Sequence, residues 1–263
     1  MDLAVRDGRL VRNPANGVAL PRVVAGDRRY LTHSEVEQLA EACAQPRPEL
    51  ISKYRRHSER RAGDYRLIVL FLAYTGVRFG ELAALRVGRL DLLRRRAEIA
   101  ESVTVVQGSG QVWGTPKGHE RRDVPIPRFL VDELAGQVAG KSRDDLVFAG
   151  VRGGGALRVA VFRHAAFDAA ATAVGLEGLH PHELRHTAAS LAIASGANVK
   201  VVQQMLGHKS ATMTLDQYGH LFGDQLDEVA DRMDSARSAA VAHLLPPAVV
   251  VDLDVVRDRS AAQ

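Results

Sequence analysis

The chain has 263 residues, of which 46% are hydrophobic and 25% charged, and its formal net charge at pH 7 is +4. This composition is typical of a globular protein, and a single cysteine excludes an internal disulfide. The longest apolar run, residues 67–77, is too short to span a bilayer, and the N-terminus has no signal-peptide core. We therefore expect a cytoplasmic protein without a membrane partner.

The basic residues are concentrated in clusters, which matters more than the small net charge. Solvated loops would explain any one cluster. Several clusters together favour a phosphate backbone as partner, because each neutralised phosphate releases counterions. The three clusters are Lys53, Arg55, Arg56, Arg60 and Arg61; Arg94 to Arg96; and Arg121 and Arg122 beside Lys117.

The first part of the chain predicts two helices and a short third one. Thr32 and Glu35 form a capping-box pattern for a helix that continues to about Ala44. After an arginine-rich loop, a helix starting near Asp64 is apolar nearly all round, which predicts a central position in the core. This helix should end at Gly76, a residue suited to the left-handed conformation. The short helix is predicted over residues 79–85.

The middle of the chain predicts strands and the remainder predicts helices. Short β-prone runs between residues 99 and 126, separated by glycine- and proline-containing turns, indicate a small antiparallel sheet of about three strands. The expected fold class is mainly α with a small antiparallel β-sheet (α+β). The predicted later helices cover residues 128–138, 157–174, 182–194, 198–206, 211–221 and 224–244, with N-caps at Asn198 and Ser210 and glycine stops at Gly196 and Gly207. An apolar tail follows at residues 249–256.

The segment from His180 to Thr187 supports two incompatible chemistries. His182 to His186 spell H-E-x-x-H, the pattern of zinc proteases. Such a site also needs a third ligand downstream, and no glutamate occurs between Thr187 and Asp227. Pro181 places the motif at a helix start, where Glu183 could simply interact with the helix dipole. The other interpretation is a phosphate site around Arg185.

Four other segments favour phosphate chemistry. Arg78 follows the predicted central helix, and Glu81 lies one turn later, where it could orient the arginine. Lys117 lies in a predicted turn between strands. His208 lies at a helix–helix joint, and Tyr218 comes ten residues after that histidine, on the following helix. Each of these features alone has an ordinary structural explanation, such as an ion pair or a surface turn.

Together and in this order, these segments resemble the tyrosine recombinase (phage integrase) family. Its signature is T-G-x-R-x-x-E-L, a lysine in a β-hairpin, H-x-x-R, L-G-H and a tyrosine about ten residues on. The resemblance covers roughly residues 31–222 and implies the catalytic-domain fold of that family. It implies a catalytic domain at 30–223, preceded by a remnant of an N-terminal core-binding domain and linker at 1–29. A C-terminal helix and tail follow at 224–263.

The resemblance implies DNA cleavage through a 3′-phosphotyrosyl intermediate, without metal, ATP or any other cofactor. The implied catalytic residues are Arg78, Lys117, His182, Arg185, His208 and Tyr218, with Glu81 supporting Arg78. In that interpretation Tyr218 is the nucleophile, His182 the candidate general base and Lys117 the general acid. Two arginines suit the reaction because their planar forks bind phosphate oxygens bidentately and stay charged. His180 and His186 are then neighbours of the site. Further DNA contacts are expected from Arg121, Arg122 and Lys209.

The implied partners are double-stranded DNA, a homotetramer formed on DNA by the full-length protein, and accessory factors that set directionality. Three alternatives remain at this point. A non-catalytic DNA-binding remnant would contact phosphate without forming a covalent bond. A type IB topoisomerase would use the same residues without a defined site. The zinc metallohydrolase interpretation of residues 182–186 would require a metal.

Overall fold

A computed structural model provides the structure of the chain and describes residues 1–18, 29–45, 62–106, 108, 110–116, 121–150, 155–223 and 226–242. Within these ranges no helix combines the length and apolar character needed to cross a bilayer. The basic cluster at residues 53–61, the turn lysine Lys117 and the apolar tail at 249–256 lie outside the described residues.

The N-terminal half is built on two helices that pack against each other. After the short helix α1 (Asp2–Arg6), α2 spans His33–Ala44 and begins with the predicted capping box, in which the Thr32 and Glu35 side chains each bond the other's backbone N–H. Helix α3 (Ala62–Thr75) packs on α2 and on the later helix α8 (Glu183–Ala194). All residues from 67 to 73 are at most 3% exposed. The predicted central position of α3 is confirmed.

Gly76 ends α3 as predicted. Its backbone is in the left-handed conformation, and neighbouring side chains leave no room for a Cβ atom. Its φ is +66°, and a Cβ atom there would lie 2.8 Å from Leu206 Cδ2 and 3.2 Å from the Ala188 methyl group. The chain therefore turns in close contact with the C-terminal helices. Arg78 follows two residues later as the N-cap of the short helix α4 (Phe79–Ala83).

Gly76→Ala is expected to destabilise the protein more than Gly140→Ala. Both glycines have positive φ, so each alanine costs about 1–2 kcal/mol in the backbone. At Gly76 the clash with Leu206 adds roughly 1–3 kcal/mol, whereas no atom lies within 4 Å of a Cβ at Gly140. Urea unfolding of both variants measures the difference. Equal losses of unfolding free energy would contradict this account.

The strands form two separate sheets instead of the one predicted. A three-stranded antiparallel sheet has the order β1-β2-β5, with β1 at Leu90–Asp91, β2 at Arg96–Ile99 and β5 at Arg122–Pro125. The other sheet is a hairpin of β3 (Ser102–Val106) and β4 (Gly110–Gly114). The predicted small antiparallel sheet is therefore present, but the hairpin that was predicted to belong to it is separate. The inward residues of β2 and β5 join the core, while most side chains of the hairpin are exposed.

The C-terminal half is helical, close to the predicted boundaries. A 3-10 turn, Val87–Arg89, precedes β1, and another, Arg128–Leu130, leads into α5 (Val131–Val138). The predicted helix at 157–174 comprises α6 (Val159–Phe162), a π-helical turn (Arg163–Phe167) and α7 (Asp168–Ala173). Helix α8 is followed by α9 (Val199–Leu206), α10 (Ala211–Tyr218), a 3-10 turn (Gly219–Leu221) and α11 (Leu226–Val241).

The joints between the last helices have the predicted caps. The side chains of Asn198 and Ser210 accept backbone N–H groups at the starts of α9 and α10. Gly196 and Gly207 have φ of +86° and +65° and follow the ends of α8 and α9. These helices enclose a second hydrophobic cluster, separate from the main core, which contains Tyr218. The joints thus fix the loops that carry the predicted site residues.

Candidate active site

The predicted residues that the structure describes come from four helix ends and meet at one place. Arg78 is the N-cap of α4, and His182 is the N-cap of α8. Arg185 lies in the first turn of α8, His208 directly after Gly207, and Tyr218 at the last position of α10. Helix ends suit a polar site because their side chains can face a common cleft while the helix bodies pack in the core.

Arg185 joins two of these loops from inside the protein. The residue is 4% exposed, and its guanidinium donates to the carbonyl oxygens of Gly76 at 2.5 Å and Leu206 at 2.6 Å. Burial, and after it the positive charge of Arg78, lowers the pKa of Arg185 to about 9. The guanidinium therefore stays charged at neutral pH. Its position is fixed relative to both the loop before Arg78 and the loop before His208.

Glu81 lies at the centre of a buried ion-pair cluster with two arginines. It is 1% exposed and accepts from the backbone N–H of Arg78 at 2.9 Å and from Arg78 Nη1 at 3.0 Å. Arg122 donates both terminal nitrogens to the same carboxylate, at 3.1 and 2.6 Å. Desolvation by burial acts to raise the pKa of Glu81, but hydrogen bonds and charges from Arg122 and Arg78 outweigh it and lower the pKa. The contact expected between Glu81 and Arg78 is present.

The side chain of Arg122 faces the interior of the protein. It is 11% exposed, and its Nε donates to the Met205 carbonyl at 3.1 Å. A Cβ at Gly207 would lie 3.0 Å from the Arg122 side chain, so this close approach requires glycine. Arg122 was predicted as a DNA contact together with Arg121 and Lys209. The latter two are exposed, whereas the guanidinium of Arg122 is occupied by partners within the protein.

Tyr218 is fully buried, and its hydroxyl lies against a histidine. The hydroxyl oxygen is 2.8 Å from Nδ1 of His186, a residue of α8 that is 9% exposed. The ring of Tyr218 stacks on His208, with centroids 6.3 Å apart and planes 5° apart. His182 meets His186 edge to face at a centroid distance of 5.3 Å. The histidine at the hydroxyl is therefore one that the sequence assigned only as a neighbour.

A signal for His186 was present in the sequence, although it was ambiguous. His182 and His186 are four residues apart, so both belong to the same face of α8. Either could meet a tyrosine brought up by another helix. The motif pattern favoured His182, and the choice depended on the position of α10 relative to α8.

The two other histidines of the site have lowered pKa values. Desolvation, followed by the charges of Arg185 and Arg78, lowers the pKa of His182. The same causes, in the same order, lower the pKa of His208 to about 4. His208 Nδ1 lies 3.0 Å from the hydroxyl of the buried Thr214. His208 is therefore neutral at pH 7, and its other ring nitrogen can donate to an anion.

Two of the H-E-x-x-H residues have hydrogen-bond partners within the protein. The carboxylate of Glu183 accepts the backbone N–H of His180 at 2.7 Å, as expected for a first-turn carboxylate. Nδ1 of His186 is at the Tyr218 hydroxyl. In the part of the chain that the structure describes, no group of three or more His, Cys, Asp or Glu side chains could hold a metal ion.

Lys117 lies outside the described ranges, between two described strands of the sequence. Strand β4 ends at Gly114, and β5 begins at Arg122, whose guanidinium bonds to Glu81. Arg122, five residues after Lys117 in the sequence, therefore lies at the ion-pair cluster of Glu81. A role for Lys117 stays a prediction.

Two relatives are similar to this chain in sequence. The tyrosine recombinase XerC of Corynebacterium efficiens is 30% identical over 230 residues, covering 86% of this chain and 64% of XerC. The prophage phiRv2 integrase of Mycobacterium tuberculosis is 29% identical over 188 residues, covering 70% of this chain and 50% of the integrase. The chain thus spans between half and two thirds of the length of these relatives.

Solved structures share its fold. The Tn1549 transposon integrase in complex with a circular intermediate DNA superposes with a TM-score of 0.64 at 18% identity, covering 89% of this chain and 74% of the integrase chain. The catalytic domain of bacteriophage HP1 integrase gives a TM-score of 0.51 at 24% identity, covering 78% of this chain and 95% of the HP1 domain. These likenesses confirm the predicted fold class. A model of the phage integrase family matches residues 29–224, and the chain therefore belongs to this family.

Proposed function

We propose that this chain is the catalytic part of a site-specific DNA recombinase that cleaves and rejoins DNA through a 3′-phosphotyrosyl intermediate. The observation that supports this most is that the buried Tyr218 is close enough to the charged guanidinium of Arg185 for the two to interact electrostatically, as Arg78 also does with Arg185. A phosphoryl transition state carries negative charge on its non-bridging oxygens, and fixed guanidinium groups stabilise it without reorganisation. The family supplies the type of reaction.

The proposed step exchanges one phosphoester bond for another. The Tyr218 oxygen attacks a backbone phosphorus, the bond from phosphorus to the 5′-oxygen breaks, and the phenolic proton leaves to a base. Arg78 and Arg185 neutralise the non-bridging oxygens, and the neutral rings of His182 and His208 donate hydrogen bonds to them. Lys117 supplies a proton to the departing 5′-oxygen. Attack by another strand's 5′-hydroxyl reverses the step, so no ATP is consumed.

Access to the tyrosine requires a local change when DNA binds. Tyr218 is 0% exposed, and Leu221 and Phe222 pack against its cluster. We infer that the segment 219–222 shifts to let a phosphate reach the hydroxyl. The exposed basic side chains of Arg121 and Lys209 lie on loops next to the site and suit contacts to the DNA backbone.

The proposal extends to the organisation of the chain. In this proposal residues 1–29, 30–223 and 224–263 are a remnant of the core-binding domain with its linker, the catalytic domain, and a C-terminal helix with its tail; the family match over residues 29–224 supports the middle unit. Apart from the half-buried Val241, the side chains of α11 that the structure describes are exposed, including Val229 at 45% and Met233 at 68%. This exposure suits a helix that contacts a neighbouring protomer in a DNA-bound tetramer. Accessory directionality factors and association with DNA in the cytoplasm belong to the same proposal.

Covalent trapping tests the proposed function. The chain is incubated, with and without EDTA, with a library of DNA duplexes that carry a central nick flanked by randomised sequence. The nick makes the strand released by cleavage short enough to dissociate, which prevents rejoining and traps the covalent adduct. We expect SDS-resistant adducts in both samples, with the DNA on the peptide that contains Tyr218 and a common sequence in the trapped duplexes. Binding without an adduct would favour a non-catalytic remnant. Loss of the adduct in EDTA would favour the zinc interpretation. Adducts without a common sequence would favour a topoisomerase.

A further inference from the structure

The C-terminal end of helix α9 is closed by two arginine side chains from other elements. A helix leaves its last four carbonyl groups without partners inside the helix. In α9 the first two of these accept backbone N–H groups of the two residues that follow the helix. The Met205 carbonyl accepts from Nε of Arg122 at 3.1 Å, and the Leu206 carbonyl accepts from Arg185 at 2.6 Å. All four carbonyls are therefore satisfied, and the position of this helix end depends on the two guanidinium groups.

Arg122 also connects this helix end to Arg78. Its two terminal nitrogens donate to the Glu81 carboxylate at 3.1 and 2.6 Å, and the same carboxylate accepts from the backbone and the guanidinium of Arg78. Its Nε holds the carbonyl of Met205, three residues before His208. The side chain of Arg122 is 11% exposed, so these contacts are made away from bulk water. One guanidinium therefore fixes the segment of Arg78 relative to the segment of His208.

A second connection between these two segments is made by Arg185, which donates to a backbone carbonyl of each. In the proposed step Arg185 and Arg78 also neutralise phosphate oxygens, whereas Arg122 has no such task. Desolvation is the largest cause of the lowered pKa of His208, and the charge of Arg122 is a smaller one. Arg122 is thus close enough to act on the residues that would bind the phosphate, while its own fork is used inside the protein.

We propose that Arg122 is a positioning residue, which holds Arg78 and His208 at the spacing that a scissile phosphate requires; this rests on the proposed function. Arg122 neither contacts the DNA nor takes part in a proton or phosphoryl transfer. Its task needs the planar guanidinium, because three nitrogens in fixed directions serve Glu81 and Met205 together. Lysine carries one ammonium on a flexible stem and cannot make all of these contacts at once.

Arg122→Lys tests this role because it keeps the positive charge and removes the planar fork. The cleavage rate is measured in single turnover, at saturating protein, on a nicked duplex recovered by the covalent trapping. We expect this rate to fall by about 10- to 100-fold, since a displacement of about 1 Å in a catalytic group can cost about 100-fold. DNA affinity and its dependence on salt should be unchanged, because a residue that only positions others releases no counterions.

Arg66→Lys is the matched control. Arg66 also donates from all three of its guanidinium nitrogens, in this case to the carboxylates of Glu37, Glu41 and Glu133, which lie outside the predicted site. This variant loses the same kind of fork and should cleave like the wild type. Urea unfolding of both variants establishes that each is folded at the temperature of the cleavage assay.

Three outcomes would overturn the role of Arg122. One is wild-type cleavage by Arg122→Lys, which indicates that the charge alone suffices. Another is equal slowing by Arg66→Lys, which indicates a general loss of stability. The third is weaker binding with a salt dependence reduced by about 0.9 in log–log slope, the value for one lost phosphate contact.

If Arg122→Lys does not fold, NMR of the wild type bound to the recovered duplex decides. A scalar coupling across the hydrogen bond from Nε of Arg122 to the Met205 carbonyl carbon supports the positioning role. The absence of this coupling, or a coupling from Arg122 to a DNA phosphorus, overturns it. An absence of any wild-type adduct in the trapping experiment would instead refute the proposed function.

Discussion

Tyr218→Phe is expected to form no covalent adduct with DNA while it still binds the trapped duplex. Phenylalanine keeps the ring that stacks on His208 but has no oxygen to attack phosphorus. The arginines that contact phosphate are untouched, so DNA affinity should be close to that of the wild type. The measurement is SDS gel electrophoresis of reactions with the nicked duplex, together with a binding titration at fixed salt concentration.

The same substitution should also lower stability slightly. Removing the hydroxyl takes away the 2.8 Å partner of Nδ1 of the buried His186, while the 3.3 Å contact with the Gln217 amide nitrogen remains, so the cost is about 0.5–1.5 kcal/mol. Tyr30→Phe is the matched control, since Tyr30 packs on the same hydrophobic cluster and its hydroxyl lies 3.4 Å from the exposed His220. It should form the adduct as the wild type does. An adduct that survives in Tyr218→Phe would identify another nucleophile.

Glu81→Gln is expected to destabilise the protein by about 3 kcal/mol and to slow DNA cleavage. The substitution leaves the guanidinium groups of Arg78 and Arg122 without their buried carboxylate, and breaking such a cluster costs about 3–5 kcal/mol. The lower end of this range applies because the side chains of Arg78 and Arg122 are 26% and 11% exposed and keep some contact with water. Denaturant unfolding measures the stability, and the nicked duplex measures cleavage.

The pH dependence of this loss follows from the direction of the Glu81 pKa shift. The pKa is lowered in the folded protein, so the stabilisation is fully present above the ordinary value of 4.5. It is lost as the pH falls through the lower pKa of the folded state. The difference in unfolding free energy between wild type and Glu81→Gln should therefore be largest at neutral pH and shrink below pH 4.5.

Glu133→Gln is the control for this experiment. Glu133 also bonds an arginine, Arg66, at 2.6 Å, but its side chain is 38% exposed. An ion pair in contact with water contributes about 0–1 kcal/mol, so this variant should unfold nearly like the wild type. Equal losses for Glu81→Gln and Glu133→Gln would contradict the importance assigned to the buried cluster.

Local sequence determined the elements whose physical causes are local. The capping box at Thr32 and Glu35 starts α2 because both hydrogen bonds close within three residues. Gly76 and Gly207 end helices because only glycine adopts a positive φ cheaply. The order of the motifs at Arg78, at residues 182–185, at His208 and at Tyr218 was enough to identify the family. The proposed roles of these residues still depend on the experiments above.

The strand region shows a limit of such reasoning. The alternation of apolar residues predicted strands in the right part of the chain but assigned them to one sheet. The hairpin β3–β4 is a separate sheet, and most of its side chains are exposed. Burial depends on what packs against the strand, and that information lies in distant segments.

Only the tertiary structure decided which side chains meet in the site. His182 and His186 share one face of α8, and the sequence could not tell which of them meets a tyrosine that is 32 residues from His186 along the chain. Arg122 appeared to be one more basic surface residue, yet it pairs with Glu81, 41 residues away. Helix starts and stops follow from neighbours along the chain, whereas hydrogen-bond partners between helices follow from how the helices pack. The sequence therefore determined the family, and the structure decided the partner of the Tyr218 hydroxyl.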